Sequence, residues 1–418
     1  MNTLSINNPV NQKADTYICL ILVFAVTYQA FLCLLNTFGF PASIAVVGAS
    51  EALIMGACLP ILMRRMAVQL IAVLAISGAF FCLAGITSGQ FNVKAVRDIL
   101  IPLWFLWLGY NLGRPDVAER ALKWICMVVI AIGTFEMFWL DTYTRFFDIY
   151  GYYLNTGNIT PVTDYVRESR LQLNGIRPEG IGRTFFPGLL GSHRVSSVFL
   201  EPVSLGNFAT IVSAWALSYD AKDWRKALWF LVAAFVMIVI ADSRFALVLV
   251  PTMFAMRLFL QGKAFYFASL APLAGVTLVM AMGFTTVEYT DSFSGRLALC
   301  GWALEEFDLQ RLLGLDLAPS YGDMGYAYLI SRFGLPLCLL LWAGFWLLPS
   351  PDERANRFRA FVAVYAALIL SVSGTSLFAF KTSALLWFLV GCLIQRPALA
   401  REPGPALPIQ PKEINYGR

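Results

Sequence analysis

Long apolar runs separated by short polar breaks repeat along almost the whole chain, at 16–36, 42–63, 66–87, 97–112, 122–140, 197–218, 226–241, 245–262, 264–284, 324–348, 359–377 and 382–396. A helix crossing the hydrocarbon core needs about 20 mostly apolar residues. The pattern therefore predicts an all-α polytopic membrane protein with about twelve transmembrane helices. The first run follows a polar start with Lys13 as its only base and reads as a retained helix, not a cleaved leader. Basic residues are spread unevenly over the breaks. With the N-terminus inside, the inside loops hold Arg64, Arg65, Arg114, Arg120, Lys123, Lys222, Arg225, Lys226, Arg257, Lys263, Arg354, Arg357 and Arg359. The short outside breaks hold Lys94, Arg97, Arg244 and Lys381. This bias predicts that both termini are cytoplasmic.

Two outer breaks are too long to be connectors, and such loops carry function or disorder. The expected division is N-terminal transmembrane helices over 1–140, a long outer loop over 141–196, central transmembrane helices over 197–284, a second outer loop over 285–323, C-terminal transmembrane helices over 324–396 and a proline-rich cytoplasmic tail over 397–418. The first loop opens on Tyr143, Phe146, Phe147, Tyr150, Tyr152 and Tyr153. These suit an interfacial aromatic belt, with a sugar-stacking platform as the alternative. Arg167, Arg170, Arg177, Arg183 and Arg194 follow, with glycines between them. In the second loop, Phe293, Leu297, Cys300, Leu304 and Phe307 recur at helical spacing, which predicts an amphipathic helix on the membrane surface, over the cavity, or packed on its neighbours.

Composition sharpens this picture. Only 14% of the 418 residues are charged, 58% are hydrophobic and the mean hydropathy is +0.67, against about 25% charged in soluble domains. The net charge of +5 is scattered through short loops, with no continuous patch for nucleic acid. Seven of the eight cysteines lie in apolar runs without metal-ligand spacing and read as small core residues; Cys300 falls in the predicted outer loop without an obvious disulfide partner. The chain has no P-loop, dinucleotide fingerprint or zinc-binding His-Glu-x-x-His, and no internal repeat of the inverted-repeat transporter kind.

Candidate chemistry gathers at outer boundaries, above all in the run from Gly191 to Asn207. Charges in spanning segments are costly and mark cavities. This run holds the only histidine, His193, as a candidate general base. Arg194 and Glu201, seven apart, would share one face of a continuing helix and hold an anion beside a hydroxyl, or form a structural ion pair. Arg244 lies between two short spans, where its fork of donors suits a diphosphate, although Asp242 is an alternative partner. Asp323 opens a late helix that also carries Tyr326 and Arg332, as a cap or as a base. Lys381 is expected to snorkel to the headgroups, and Glu51 sits inside the second span without an obvious partner. Arginines, carboxylates and one histidine at an outer face suit transfer from an activated, lipid-linked substrate. Leaving-group charge is then neutralised and an acceptor hydroxyl positioned.

The ordered set Arg-x-Ser-Ser-x-Phe-x-Glu-Pro, a Ser-Arg pair between short helices, Leu-Leu-Gly-Leu and Asp-x-Gly-Tyr-x-Tyr-Leu-x-x-Arg-Phe-Gly resembles the O-antigen ligase and Wzy-type polysaccharide polymerase superfamily over roughly residues 90 to 395. The resemblance implies a GT-C-like enzyme of the bacterial inner membrane. It would join undecaprenyl-diphosphate-linked glycans on the periplasmic face without a metal or other cofactor. The family's arginines correspond to Arg194, Arg244 and Arg296, which would bind diphosphate, while Glu201, Asp323 or His193 would serve in catalysis. Polymerases of this kind carry an arginine followed eleven residues later by glycine in two outer loops, matched here by Arg177 with Gly188 and Arg311 with Gly322. Arg177, Arg183, Arg311 and Tyr326 are accordingly expected to contact glycan. Ligases tend to have histidine where this chain has Asp323, which favours repeat-unit polymerisation over transfer of finished glycan to lipid A or protein. A chain-length-regulating membrane protein is an expected partner. A secondary transporter, with Glu51 essential, is the alternative from another class, but the loop after the second span lacks the major-facilitator motif.

Overall fold

The computed structural model describes residues 9–64, 68–159, 164–176, 185–186, 193–290, 292–316, 321–322 and 324–394; these form helices and no strand. In chain order the helices are α1 (Pro9–Thr37), α2 (Ile44–Leu62), α3 (Val68–Ser88), α4 (Val93–Leu112), α5 (Pro115–Phe138), α6 (Leu140–Phe146), α7 (Ile149–Asn155), α8 (Asp164–Ser169), α9 (Pro202–Ser218), α10 (Trp224–Ala241), α11 (Arg244–Phe259), α12 (Ala271–Thr285), α13 (Phe293–Glu305), α14 (Leu309–Leu312), α15 (Gly325–Leu347), α16 (Glu353–Val372) and α17 (Phe380–Leu393). Among the described residues, eight helical stretches are long and apolar enough to cross a membrane: those of α1, α2, α3, α5, α10, α12 with the turn before it, α15 and α16. The chain is thus a multi-pass α-helical membrane protein. Each of the twelve apolar runs falls on a helix. However, α9, α11 and α17 have only 17, 16 and 14 residues, and α4 has Lys94, Arg97 and Asp98 in its first two turns.

The helices extend past their apolar runs wherever a charged first turn is capped. Thus α16 begins at Glu353, not near 359, because the Asp352 side chain accepts the Ala355 amide at 2.8 Å. In the middle of the bundle, α9, α16 and α17 are buried on nearly every side. By contrast, α2 and α3 keep large exposed side chains, including Leu53, Ile76 and Ile86, which suits a face turned to lipid.

Backbones approach closely where α4 crosses α17. A Cβ on Gly109 would collide with the Phe388 carbonyl, and one on Gly391 with the Leu106 carbonyl. Small residues at such crossings let dispersion act between backbones where lipid removes the hydrophobic drive. A second glycine pair breaks a helix. Gly334, at φ 66° and ψ 146°, interrupts α15 and meets Gly314, itself at φ 70°, in the turn after α14. The Leu-Leu-Gly-Leu and Arg-Phe-Gly motifs therefore meet in space.

The predicted loop helix is α13, and it is embedded, packing on α12, α15 and α16. Leu297, Cys300 and Gly301 are buried, Trp302 Nε1 donates to the Gly283 carbonyl at 2.9 Å, and only Phe293 of the stripe stays exposed. Cys300 is thus a buried free thiol inside a helix, not a loop residue. The aromatic cluster of the first loop is also mostly core. Tyr143, Tyr150, Tyr152 and Tyr153 are buried, while α6 and α7 pack against α1. Asp148 N donates to Thr37 Oγ1 at 3.0 Å there.

At the end where α9, α11 and α15 finish, arginines cap helix carbonyls. Arg357 donates to Ser218 O and pairs with Asp220 and Glu353, and Arg257 donates to Tyr219 O. Arg354 lies over the Tyr219 and Trp215 rings. The Arg357 guanidinium holds the Asp220 carboxyl below the usual aspartate range. Leucine at Gly109 or Gly391 is expected to destabilise the protein by at least about 2 kcal/mol through overpacking, whereas Gly344→Ala, which faces open space, leaves it unchanged. Thermal unfolding in mild detergent checks this, and equal melting of all three variants would remove the close crossing as a determinant.

Candidate functional site

The segment from His193 to Pro202 is a folded-back strap, not a helix. His193 and Arg194 are partly buried in a bend, residues 197–199 form one 3-10 turn, and Glu201 is extended at φ −149° before α9 starts at Pro202. Proline fixes this start, since it lacks an N–H and pushes the preceding residue out of helical conformation. The expected shared helical face of Arg194 and Glu201 is therefore wrong. Their side chains go to different elements.

Arg194 turns towards the end of α10. Its Nε donates to Ala241 O at 3.0 Å and its Nη1 to Asn174 O at 3.2 Å, while Val195 N donates to Ile240 O at 3.1 Å. Arg244, exposed, is the first residue of α11, three positions after that carbonyl. The two arginines thus share the α10–α11 turn. Between them Asp242 is buried in left-handed conformation at φ 50° and accepts the Phe185 amide at 3.0 Å.

The middle of the strap is held by a residue that sequence reading passed over. Glu136, fully buried in the last turn of α5, accepts the amides of Ser196 at 2.9 and 3.0 Å and of Ser197 at 2.6 Å. Tyr143 Oη donates to Ser197 O at 2.9 Å, and Ser197 Oγ to Val129 O at 2.7 Å. These bonds hold Ser197 at φ 52° and Leu200 at φ 58°, a left-handed conformation that costs non-glycine residues about 1 kcal/mol or more each.

The far end of the strap meets α17. Lys381, expected to snorkel outwards, is buried: Nζ donates to Phe199 O at 2.7 Å and to Gln29 Oε1 at 3.0 Å, and lies 3.8 Å from Glu201 Oε2. Ser204 Oγ donates to that same carboxylate oxygen at 2.8 Å. Lipid exposure at the start of α17 is replaced by α1 and the strap, so an internal acceptor set takes the ammonium.

From Gln29 the polar chain continues inwards. Gln29 Nε2 donates to Tyr28 Oη at 3.3 Å, and Tyr28 Oη donates to Glu51 Oε1 at 2.6 Å. Glu51, for which the sequence offers no obvious partner, receives Arg97 in a two-pronged pair, Nε to Oε2 at 2.6 Å and Nη2 to Oε1 at 2.7 Å. Arg97 Nη1 also donates to Asp98 at 3.1 Å, and Tyr328 Oη to Asp98 Oδ2 at 2.6 Å. Side chains from α15, α4, α2, α1, α17 and α9 thereby form one continuous network at one end of the bundle.

Other expected site residues lie elsewhere. Tyr326 is 2% exposed, its hydroxyl donates to Ala367 O at 2.9 Å and Gly275 abuts its ring; it packs helices and has no surface for a glycan. Arg311 pairs with Asp316 at 3.1 Å and donates to Glu306 O at 2.9 Å, within its own loop. Arg296 is half-buried on α13. Asp323, Arg177, Arg183, Gly188 and the tail over 397–418 lie outside the described residues. Among the described residues no cluster of His, Cys, Asp and Glu could hold a metal ion.

Comparison of the chain with protein-family models, curated proteins and solved structures gives no match.

Removing Arg97 alone strands the Glu51 carboxylate. Arg97→Met is expected to cost about 3 kcal/mol, at the low end for a buried pair because the arginine is partly open. Adding Glu51→Gln is expected to recover part of this. A double-mutant cycle on unfolding measures the coupling, and a double variant no more stable than Arg97→Met would contradict the pairing.

Proposed function

We propose that this protein polymerises undecaprenyl-diphosphate-linked oligosaccharide repeat units into exopolysaccharide or O-antigen on the periplasmic face of the bacterial inner membrane. It would cross that membrane about twelve times, with both termini cytoplasmic. The observation that carries the reading is the strap from His193 to Pro202, which joins a two-arginine turn at one end to a lysine-backed carboxylate at the other. A transfer from a lipid diphosphate needs those two functions within one substrate's reach.

In this mechanism Arg244 and the N-terminus of α11 receive the diphosphate, since amide groups and the helix dipole there favour negative charge. Arg194 sits on the same turn and adds cationic charge. Glu201, partly open and accepting from Ser204, takes the proton of the acceptor hydroxyl. The hydroxyl oxygen then attacks the anomeric carbon of the donor sugar, and the bond to the phosphate oxygen breaks with its electron pair on the departing undecaprenyl diphosphate. Lys381, 3.8 Å away, keeps Glu201 aimed. The bilayer supplies donor and acceptor, and a chain-length-regulating membrane protein is the expected partner. A ligase would use the same donor and differ only in acceptor. For a proton-coupled transporter Glu51 is the natural carrier, yet both its oxygens are committed to Arg97.

In a strain lacking the protein, mass spectrometry of undecaprenyl-linked glycans is expected to find accumulated single repeat units. Arg244→Ala is expected to lower polymer yield by about a hundredfold, the usual effect of losing one transition-state charge partner, and Arg194→Ala and Glu201→Gln by at least tenfold, all at normal protein levels. Long chains stranded on the lipid would instead mean a ligase, and an unchanged lipid-linked pool would sink both.

A further inference from the structure

An asparagine buried in a helix bundle is costly unless its amide is bonded, and spanning helices commonly use such residues to bond one another. Asn207, in the second turn of α9, departs from this. It is 2% exposed, and its amide has no hydrogen-bond partner among the described residues. The hydroxyls of the same helix are all engaged. Ser204 Oγ donates to Glu201, Thr210 Oγ1 to Gly206 O, Ser213 Oγ to Ala209 O and Ser218 Oγ to Trp215 O. Unlike the unpartnered hydroxyl of Ser383, the Asn207 amide is not wholly sealed from solvent.

The helix places this amide between the two ends of the strap. Ser204 lies on the face of α9 that meets Glu201, at 2.8 Å. Gly206 lies on the face that meets the α10–α11 turn, where a Cβ would run into Ser243 Oγ, next to Arg244. Down the helix axis, Asn207 is about 60° from Ser204 and about 100° from Gly206, within the shorter arc that joins them. It is therefore on the side of α9 between the carboxylate and the arginine turn, one turn deeper than either. A donor whose diphosphate sits at Arg244 and whose anomeric carbon is attacked beside Glu201 must lay the intervening bond across this arc.

We propose that Asn207 hydrogen-bonds the donor at its sugar–phosphate junction. The amide oxygen accepts from a hydroxyl of the transferred sugar, and the amide nitrogen donates to the adjoining phosphate oxygen. An amide carries an acceptor and a donor side by side, whereas an arginine only donates and an ionised carboxylate only accepts. The inference rests on the transfer reaction proposed above and adds a substrate contact to it. It also gives the idle amide a partner, which arrives with the substrate. In the empty protein the unmet amide costs stability, and in the complex it gains its bonds.

The test compares Asn207→Leu, Asn207→Ala and Thr210→Val in the full-length protein in nanodiscs, each read for thermal unfolding and for turnover of purified lipid-linked repeat units at saturating donor. Leucine replaces the amide by an apolar group of similar branching. Alanine removes it without added volume and decides the matter if the leucine variant does not fold. Both are expected to lose about tenfold or more in turnover, as for one or two hydrogen bonds missing from the transition state. Neither is expected to melt markedly below wild type, because the group removed has no partner in the protein. Thr210→Val, whose lost hydroxyl bonds only its own helix, is expected to keep both properties. Wild-type turnover in the Asn207 variants overturns the inference. So does a fall in melting temperature that parallels the fall in turnover, which would make Asn207 a packing residue or the seat of a structural water. Failure of the wild-type protein to extend the repeat units would instead remove the transfer reaction, and this contact with it.

Discussion

A charged side chain inside a lipid-surrounded helix bundle is tolerated only where another group meets it, and the Arg97 guanidinium satisfies this condition for much of one end of the bundle. It sits between Glu51 and Asp98. Through them it ties α4 to α2, and through Tyr28 and Tyr328 to α1 and α15. Each member alone would carry the cost of an unpaired buried polar group. Together they favour a single arrangement of four helices, because any shift that opens one bond exposes a charge to hydrocarbon.

The same logic reaches the strap. Lys381 is coupled to the network through Gln29, and it places its third contact on Phe199 O. That bond, with the two amides on Glu136, is what a left-handed Ser197 and Leu200 require to persist. The position of Glu201 is therefore not a local property of its own turn. It follows from a lysine on α17 and a carboxylate on α5. The residues of Arg-x-Ser-Ser-x-Phe-x-Glu-Pro each acquire a physical role in this arrangement. Arg194 anchors one end, two serine amides bind Glu136, a phenylalanine carbonyl receives Lys381, and Pro202 starts α9.

Much of the fold was legible because lipid makes the hydrophobic signal long and unambiguous. All twelve apolar runs coincide with helices, and errors concentrate at charged first turns such as that of α16, where capping extends the helix beyond the greasy segment. The loops misled for a related reason. The stripe of α13 and the tyrosines of α6 and α7 carry the same apolar signal whether they face membrane or protein, so periodicity revealed the helix and not its burial. Site geometry was less readable. Glu51 and Arg97 are 46 positions apart, and Lys381 and Gln29 are 352 apart; no spacing rule links them. The usable signal was a lone carboxylate in an apolar run. Applied evenly, it marks Glu136 as strongly as Glu51.

Both ends of the bundle bury cations against the same two kinds of acceptor, carboxylates and backbone carbonyls at helix ends. At the end bearing Glu51, Asp98 and Glu201, cations face carboxylates contributed by helix beginnings or late turns. At the other end α9 and α15 terminate, and their last carbonyls, Ser218 O, Trp346 O and Leu348 O, are what Arg357 and Arg359 bind. Terminal carbonyls have no intrahelical partner and carry partial negative charge, so an arginine from a neighbouring helix satisfies them, Arg357 with Asp220 and Glu353 beside it. Several basic residues that gather at that end are met by acids as well, Arg114 by Asp15 and Asp116, Lys123 by Glu119 and Arg357 by Asp220 and Glu353.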